Sequence, residues 1–207
     1  MFVKVCGIRE VDELRFVEVA DATGVVVRAK SRRRISLKKA REIISNTEIP
    51  VFAVSTERTY DGWKEIIEKT GAKYIQVHTE MVLREYEKLR CNFDGVITKS
   101  FIVTKLSENP EEEAEKLFER ISEFDADYYL LDTGKGTGRL HDLRVTREIC
   151  RRTANIILAG GLNPVNVRGI IEFVRPFGVD VSSGVESNGR KDEGKIREFV
   201  GAVKVMK

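Results

Sequence analysis

A thiol and a carboxylate stand at the ends of two short apolar runs. Cys6 closes the run Val3–Cys6 and is followed by Gly7, and Asp132 follows the run Tyr128–Leu131. A thiolate is a base or a nucleophile. A carboxyl after a wholly apolar run is costly to bury, so Asp132 belongs at a rim, where it can exchange a proton. Each residue also has a plainer reading. Most free cysteines are small buried hydrophobes, and a rim aspartate can simply cap the next turn.

Two other run ends carry small residues. Ala159-Gly160-Gly161-Leu162-Asn163 and Asp180-Val181-Ser182-Ser183-Gly184-Val185 are turns in which backbone amides can converge on an anion. Singly each is only a tight turn; together they favour a phosphate. Arg28-Ala29-Lys30-Ser31-Arg32-Arg33-Arg34 places five cations in seven residues. Such a run is a solvated face, unless one arginine clamps a carboxylate with its planar fork. Gln76 and His78 alternate, so they share a strand face, where His78 reads as a hydrogen-bonded rim residue. Thr133-Gly134-Lys135-Gly136-Thr137-Gly138 is a glycine-rich loop without P-loop spacing. No His/Asp/Glu spacing supports a metal site, and no metal is expected.

The elements that must hold these residues can be read from periodicity. Val3–Cys6, Gly24–Val27, Val51–Val54, Tyr74–Val77, Gly95–Ile97, Tyr128–Leu131, Ile156–Leu158 and Val179–Val181 are nearly continuous apolar runs, as expected of strands buried on both faces. Helical spacing separates them. Leu37, Ala40, Ile43 and Ile44 share one face, as do Ala114, Leu117, Phe118 and Ile121. Val167, Ile170, Ile171 and Val174 form another set, and Ile196, Phe199, Val200 and Val203 the last. Asn109-Pro110, Asn163-Pro164 and Asp192 mark helix starts, and a fourth helix is expected near Met81–Leu89. Strictly alternating strands and helices imply right-handed crossovers and a parallel sheet. The fold class expected is α/β, a single-domain (β/α)8 TIM barrel over residues 1–207; a doubly wound open sheet is the alternative. In a barrel, the stretches Arg28–Ile35, Thr98–Asn109 and Thr133–His141 leave the C-terminal ends of strands 2, 5 and 6, where active sites sit.

Composition narrows the classes further. The 207 residues carry 36 Lys+Arg against 33 Asp+Glu, a net charge of +3, with 42% hydrophobic residues. That excludes a disordered chain, and so small an excess gives little reason to expect nucleic acid. The three cysteines are widely spaced with no C-x-x-C, as in a reducing compartment. No apolar run reaches the ~18 residues of a membrane span, and the start Met1-Phe2-Val3-Lys4 lacks a signal-peptide pattern. A cytoplasmic protein with no membrane partner is expected.

Longer segments resemble one known family. Val3-Lys4-Val5-Cys6-Gly7-Ile8, Leu131-Asp132-Thr133, Gly136-Thr137-Gly138 with His141-Asp142, Leu158-Ala159-Gly160-Gly161-Leu162-Asn163-Pro164 and Val179-Asp180-Val181-Ser182-Ser183-Gly184-Val185-Glu186, then Gly189-Arg190-Lys191-Asp192, are similar to the motifs of N-(5′-phosphoribosyl)anthranilate isomerase of tryptophan biosynthesis. The resemblance implies a barrel that performs an Amadori rearrangement without cofactor or metal. It implies Cys6 as general base, Asp132 as general acid, Arg33 on the anthranilate carboxylate, and Gly161, Ser182 and Ser183 on the phosphate. Gly160, Asp180 and His78 complete the residues expected around the substrate. The sequence departs from the family where Arg32 replaces a proline, Arg34 an aromatic and His141 a phenylalanine, which leaves the carboxylate to Arg33 or a neighbouring arginine. The partner expected is a small phosphosugar, and the chain is expected to be a monomer or homodimer. The alternatives are a phosphosugar isomerase like that of histidine biosynthesis, which uses two aspartates, and a non-catalytic phosphoanion- or RNA-binding protein using Lys30–Arg34. A Schiff-base aldolase would need a lysine inside the barrel, for which Lys99, just past the expected fifth strand, is the one candidate.

Overall fold

The computed structural model describes residues 1–103, 106–134 and 140–205. Eight parallel strands close into a ring in sequence order: β1 (Phe2–Cys6), β2 (Ala22–Val26), β3 (Val51–Ser55), β4 (Tyr74–Val77), β5 (Val96–Ile102), β6 (Tyr128–Asp132), β7 (Ile156–Leu158) and β8 (Gly178–Val181). The helices are α1 (Leu14–Val17), α2 (Leu37–Ser45), α3 (Tyr60–Thr70), α4 (Leu83–Cys91), α5 (Pro110–Ser122), α6 (Leu143–Arg152), α7 (Val167–Val174) and α8 (Glu193–Lys204). The ring closes where β1 pairs with β8, Lys4 opposite Asp180.

Strand alternation divides the apolar residues between two layers. Val3, Val5, Val25, Ala53, Ile75, Val77, Ile97, Leu131, Leu158, Val179 and Val181 lie in the main core with α-helical residues such as Ala40, Leu117, Ile149, Ile171 and Phe199. The intervening positions fill the interior of the ring. Cys6, Ala22, Val26, Phe52 and Val54 form one interior cluster, and Leu130, Ile157 and Ala159 another. At the N-terminal end Phe2, Tyr128 and Phe177 stack mutually, with centroids 5.4–5.9 Å apart. These rings floor the barrel and leave its opposite end to polar residues.

The helix starts follow local chemistry. Asn109 accepts from Glu112 N ahead of Pro110, and Asp192 accepts from Lys195 N. Asn163 does not cap α7. Its Oδ1 accepts from the amides of Val165 and Asn166, which shapes a turn, and α7 begins only at Val167. Likewise α4 begins at Leu83, after the buried Met81.

The fifth strand differs most from expectation. It runs seven residues, Val96–Ile102, rather than three, so much of the stretch Thr98–Asn109 is strand rather than loop. Its inward positions Thr98 and Ser100 are polar and buried, which hid it from a reading by apolar continuity. Lys99 therefore lies within β5 on its outward side, its Nζ over the rings of Phe101 and Phe124 at 4.5 and 4.8 Å. It is not a lysine inside the barrel. Two short antiparallel strands not expected from the sequence, β9 (Glu186–Ser187) and β10 (Arg190–Lys191), form a hairpin after β8. The loop residues Lys135-Gly136-Thr137-Gly138 lie outside the described residues.

Candidate active site

The C-terminal mouth of the barrel holds a cavity of about 640 Å³. All nine site residues expected from the sequence line it: Cys6, Arg33, His78, Asp132, Gly160, Gly161, Asp180, Ser182 and Ser183. They come from six strand ends, so the closed ring brings together what the chain separates.

Cys6 is buried at the end of β1. Gly24 of β2 lies beside it: a Cβ there would stand 3.0 Å from Cys6 Sγ and 3.4 Å from Lys4 Cε. Below the thiol, the ammonium of Lys4 donates to Asp180 Oδ2 and to Gln76 Oε1, both at 2.9 Å. Burial draws the Lys4 ammonium down, but Asp180 and Cys6 outweigh it and hold it above its ordinary value. Lys4 is thus a permanent cation under the thiol. Burial and, to a lesser degree, Asp180 push the Cys6 thiol up, and Lys4, Lys191 and Arg33 oppose that shift without cancelling it. Asp180 Oδ1 is buried with no partner among the described residues.

Across the mouth, Asp132 ends β6. Its Oδ1 accepts from Thr133 N at 2.7 Å and Thr133 Oγ1 at 3.3 Å, while Oδ2 lies 3.5 Å from His78 Nε2. Gly160 makes room for this arrangement. Its φ is +84°, and a Cβ there would collide with Thr133 Oγ1 and Asp132 Oδ1. His78 Nδ1 is 3.1 Å from Gln76 Nε2 and 3.0 Å from Ser100 Oγ. Because Gln76 Oε1 accepts from a lysine, its Nε2 must be a donor, so Nδ1 accepts and the ring proton sits on Nε2, facing Asp132. Burial holds the imidazole below its ordinary value although Asp132 pulls it up, so the ring is neutral.

The third wall is cationic. Arg33 crosses Gly7, where a Cβ would lie 2.5 Å from Arg33 Cδ. Its Nε and Nη2 donate to the two carboxylate oxygens of Glu186 at 2.5 and 3.0 Å. Arg32 is 63% exposed, against 13% for Arg33, and Arg34 is exposed and does not line the cavity. Of the three, Arg33 is the one built into the wall. Beside it, Ser182 Oγ donates to Cys6 O at 2.8 Å and accepts from Lys191 Nζ at 3.3 Å. This ties the turn after β8 to the end of β1.

Lys191 and Glu186, both on the unexpected hairpin, were not singled out from the sequence, although both fall in segments that carry the resemblance. Among the described residues there is no cluster of three His, Cys, Asp or Glu side chains that could hold a metal. The arrangement offers one group able to accept a proton, one able to donate it across the cavity, and cationic and amide-rich walls for two anionic ends of a ligand.

Known proteins resemble this chain over almost its whole length. Residues 3–202 match the family model for N-(5′-phosphoribosyl)anthranilate (PRA) isomerase. The isomerase of that name from Methanococcus aeolicus is 52% identical over 203 residues, covering 97% of this chain and 96% of the relative. The solved structure of the Pyrococcus furiosus isomerase superposes with a TM-score of 0.93 at 49% identity, covering 100% of both chains. A further solved isomerase, in complex with reduced 1-(o-carboxyphenylamino)-1-deoxyribulose 5-phosphate, superposes at 0.83 with 31% identity and covers 100% of both chains.

Proposed function

The chain belongs to the N-(5′-phosphoribosyl)anthranilate isomerase family, and from that premise we propose how its barrel mouth performs the isomerisation. The protein is a PRA isomerase of tryptophan biosynthesis. Its reaction rearranges the aminoaldose to 1-(2-carboxyphenylamino)-1-deoxyribulose 5-phosphate. The proposal is that Cys6 is the general base and Asp132 the general acid. The observation that carries it is their meeting in one cavity from β1 and β6, joined beneath by Lys4, Gln76 and His78.

The carboxyl of Asp132 donates its proton to the ribose ring oxygen. With Oδ1 taken by Thr133, Oδ2 is the oxygen that carries that proton. The C1–O bond breaks, and the anthranilate nitrogen supplies its electron pair to form an iminium. That cation acidifies the C2 hydrogen, which the Cys6 thiolate removes. The C2–H pair becomes the C1=C2 bond and neutralises the nitrogen. The enolamine then takes a proton at C1 and loses one from the C2 hydroxyl to give the ketose. Asp180 Oδ1, the buried oxygen without a partner, accepts from a ribose hydroxyl. Arg33 holds the anthranilate carboxylate, and the turns of Gly160, Gly161, Ser182 and Ser183 hold the phosphate.

The rival that binds RNA through Lys30–Arg34 is weakened because Arg32 and Arg33 are both paired with Glu186. A histidine-biosynthesis type of isomerase is opposed by Cys6 standing where that chemistry has an aspartate. One copy of the chain contains every residue named, so a monomer or a homodimer serves equally. The proposed location is the cytoplasm; no helix among the described residues is long and apolar enough to cross a membrane. The test follows the fluorescence of freshly made phosphoribosylanthranilate, which decays on turnover. Asp132→Asn should lower kcat by about 10²–10⁴-fold with little change in KM. A loss confined to KM would make Asp132 a binding residue instead.

A further inference from the structure

Glu186 has no part in the mechanism above and does not line the cavity, yet three cations converge on it. Oε1 accepts from Arg33 Nε at 2.5 Å and from Lys191 Nζ at 3.1 Å. Oε2 accepts from Arg33 Nη2 at 3.0 Å and from Arg32 Nη2 at 2.7 Å. The carboxylate is only 5% exposed. Burial would raise its pKa, but Arg33 and Lys191 overcome that and hold it at about 2, so it is ionised at any working pH. One buried anion therefore organises a cluster of two arginines and a lysine.

This geometry uses Arg33 in a particular way. The fork's Nε and Nη2 are occupied, and Nη1 has no partner among the described residues. A free arginine would lose rotamer entropy on clamping a ligand; one already held by a bidentate carboxylate has lost most of it beforehand. Gly7 closes the other side, since any Cβ there would strike Arg33 Cδ. Glu186 also separates Arg33 from the Lys191 ammonium, which is buried at 1% exposure and has no other carboxylate partner among the described residues. Without Glu186, the two cations would repel across the mouth.

We propose that Glu186 is the positioning residue for recognition of the substrate's aromatic carboxylate: it fixes the Arg33 guanidinium and balances Lys191, so that the free edge of Arg33 meets the incoming anion. This rests on the reading of Arg33 as the carboxylate clamp, and the test separates the two. Arg33→Ala, Glu186→Gln and Glu186→Asp are assayed for kcat and KM on phosphoribosylanthranilate. The same variants are assayed on the analogue made with aniline, which lacks the carboxylate, with turnover of the analogue followed chromatographically.

Glu186→Gln should lose about 10–100-fold in kcat/KM on the anthranilate substrate, the range of one charge-assisted contact, mostly through KM. On the aniline analogue it should change little. Glu186→Asp keeps the charge and should show the same split in weaker form, and it decides the matter if the Gln variant does not fold. If Arg33→Ala impairs both substrates equally, the clamp reading itself fails. If Arg33→Ala discriminates between them while the Glu186 variants impair both alike or neither, Glu186 is structural and the inference is overturned.

Discussion

The side-chain amide of Gln76 donates to Nδ1 of His78 at 3.1 Å, and its orientation is dictated from below by the Lys4 ammonium on Oε1. A lysine can only donate, so the amide cannot turn over, and the imidazole is left with its proton on Nε2 beside Asp132. A buried charge near the middle of the barrel thus selects the tautomer of a ring at its mouth.

Replacing Gln76 by glutamate should reverse that selection. Both oxygens of the new side chain are acceptors, so Nδ1 would have to carry a proton. Nitrogen-detected NMR of the imidazole should report an unprotonated Nδ1 in the wild type and a protonated one in Gln76→Glu. An unchanged nitrogen pattern would mean that Gln76 does not govern the ring.

The thiol and its cation can be tested together. Cys6→Ser should lower kcat/KM by at least about 10²–10⁴-fold. Because burial raises the Cys6 thiol, the rate should still be climbing above the ordinary thiol value of about 8.5. Lys4 pulls that thiol down. Asp180 itself pushes the thiol up, so Lys4→Met combined with Asp180→Asn is compared with Asp180→Asn alone, against which it should move the alkaline limb to higher pH and slow alkylation of Cys6 at neutral pH. A limb that stays in place would remove Lys4 from the activation of Cys6.

Lys99 offers a test of stability instead. Its ammonium donates to the carbonyls of Thr79 and Ser100 at 3.0 Å each, and burial lowers its pKa to about 8. In the unfolded chain the amine keeps its proton to about 10.4. Between those values the unfolded state binds more protons, so this residue makes stability rise with pH across that window. Lys99→Met lacks that rise. Denaturant unfolding of both proteins at pH 7 and pH 10 should show the wild type gaining on the variant at the higher pH. A difference that does not change with pH would overturn the assignment.

All eight strands were legible from apolar runs, β4 and β7 to the residue, because a barrel strand is covered on both faces. The fifth failed where it approaches the site, since Thr98 and Ser100 face a polar interior and Lys99 interrupts the outer face. That nine expected residues line one cavity was legible in part from strand ends and turns with recognisable residue types, while the choice of Arg33 among its neighbouring cations came from the resemblance alone. The supports of these residues were not legible. Glu186 meets Arg33 across 153 positions of sequence, and nothing in the local spacing of either residue announces the pair. His141 is a similar case. It replaces an aromatic of the family and is fully buried with Nε2 2.6 Å from Thr146 Oγ1, a fit that only the folded layer shows.

The seam between β1 and β8 also sets a clock. Lys4 and Asp180 are 176 residues apart, and at about 5–20 residues per second of synthesis the lysine waits roughly 9–35 s for its partner. During that interval its ammonium has to remain hydrated, because burial without Asp180 would leave it uncompensated. Sealing the first strand into the interior early would therefore carry the cost of an ammonium without its carboxylate. That cost favours closing the barrel last at this seam, where the same ion pair that underlies the thiol completes the ring.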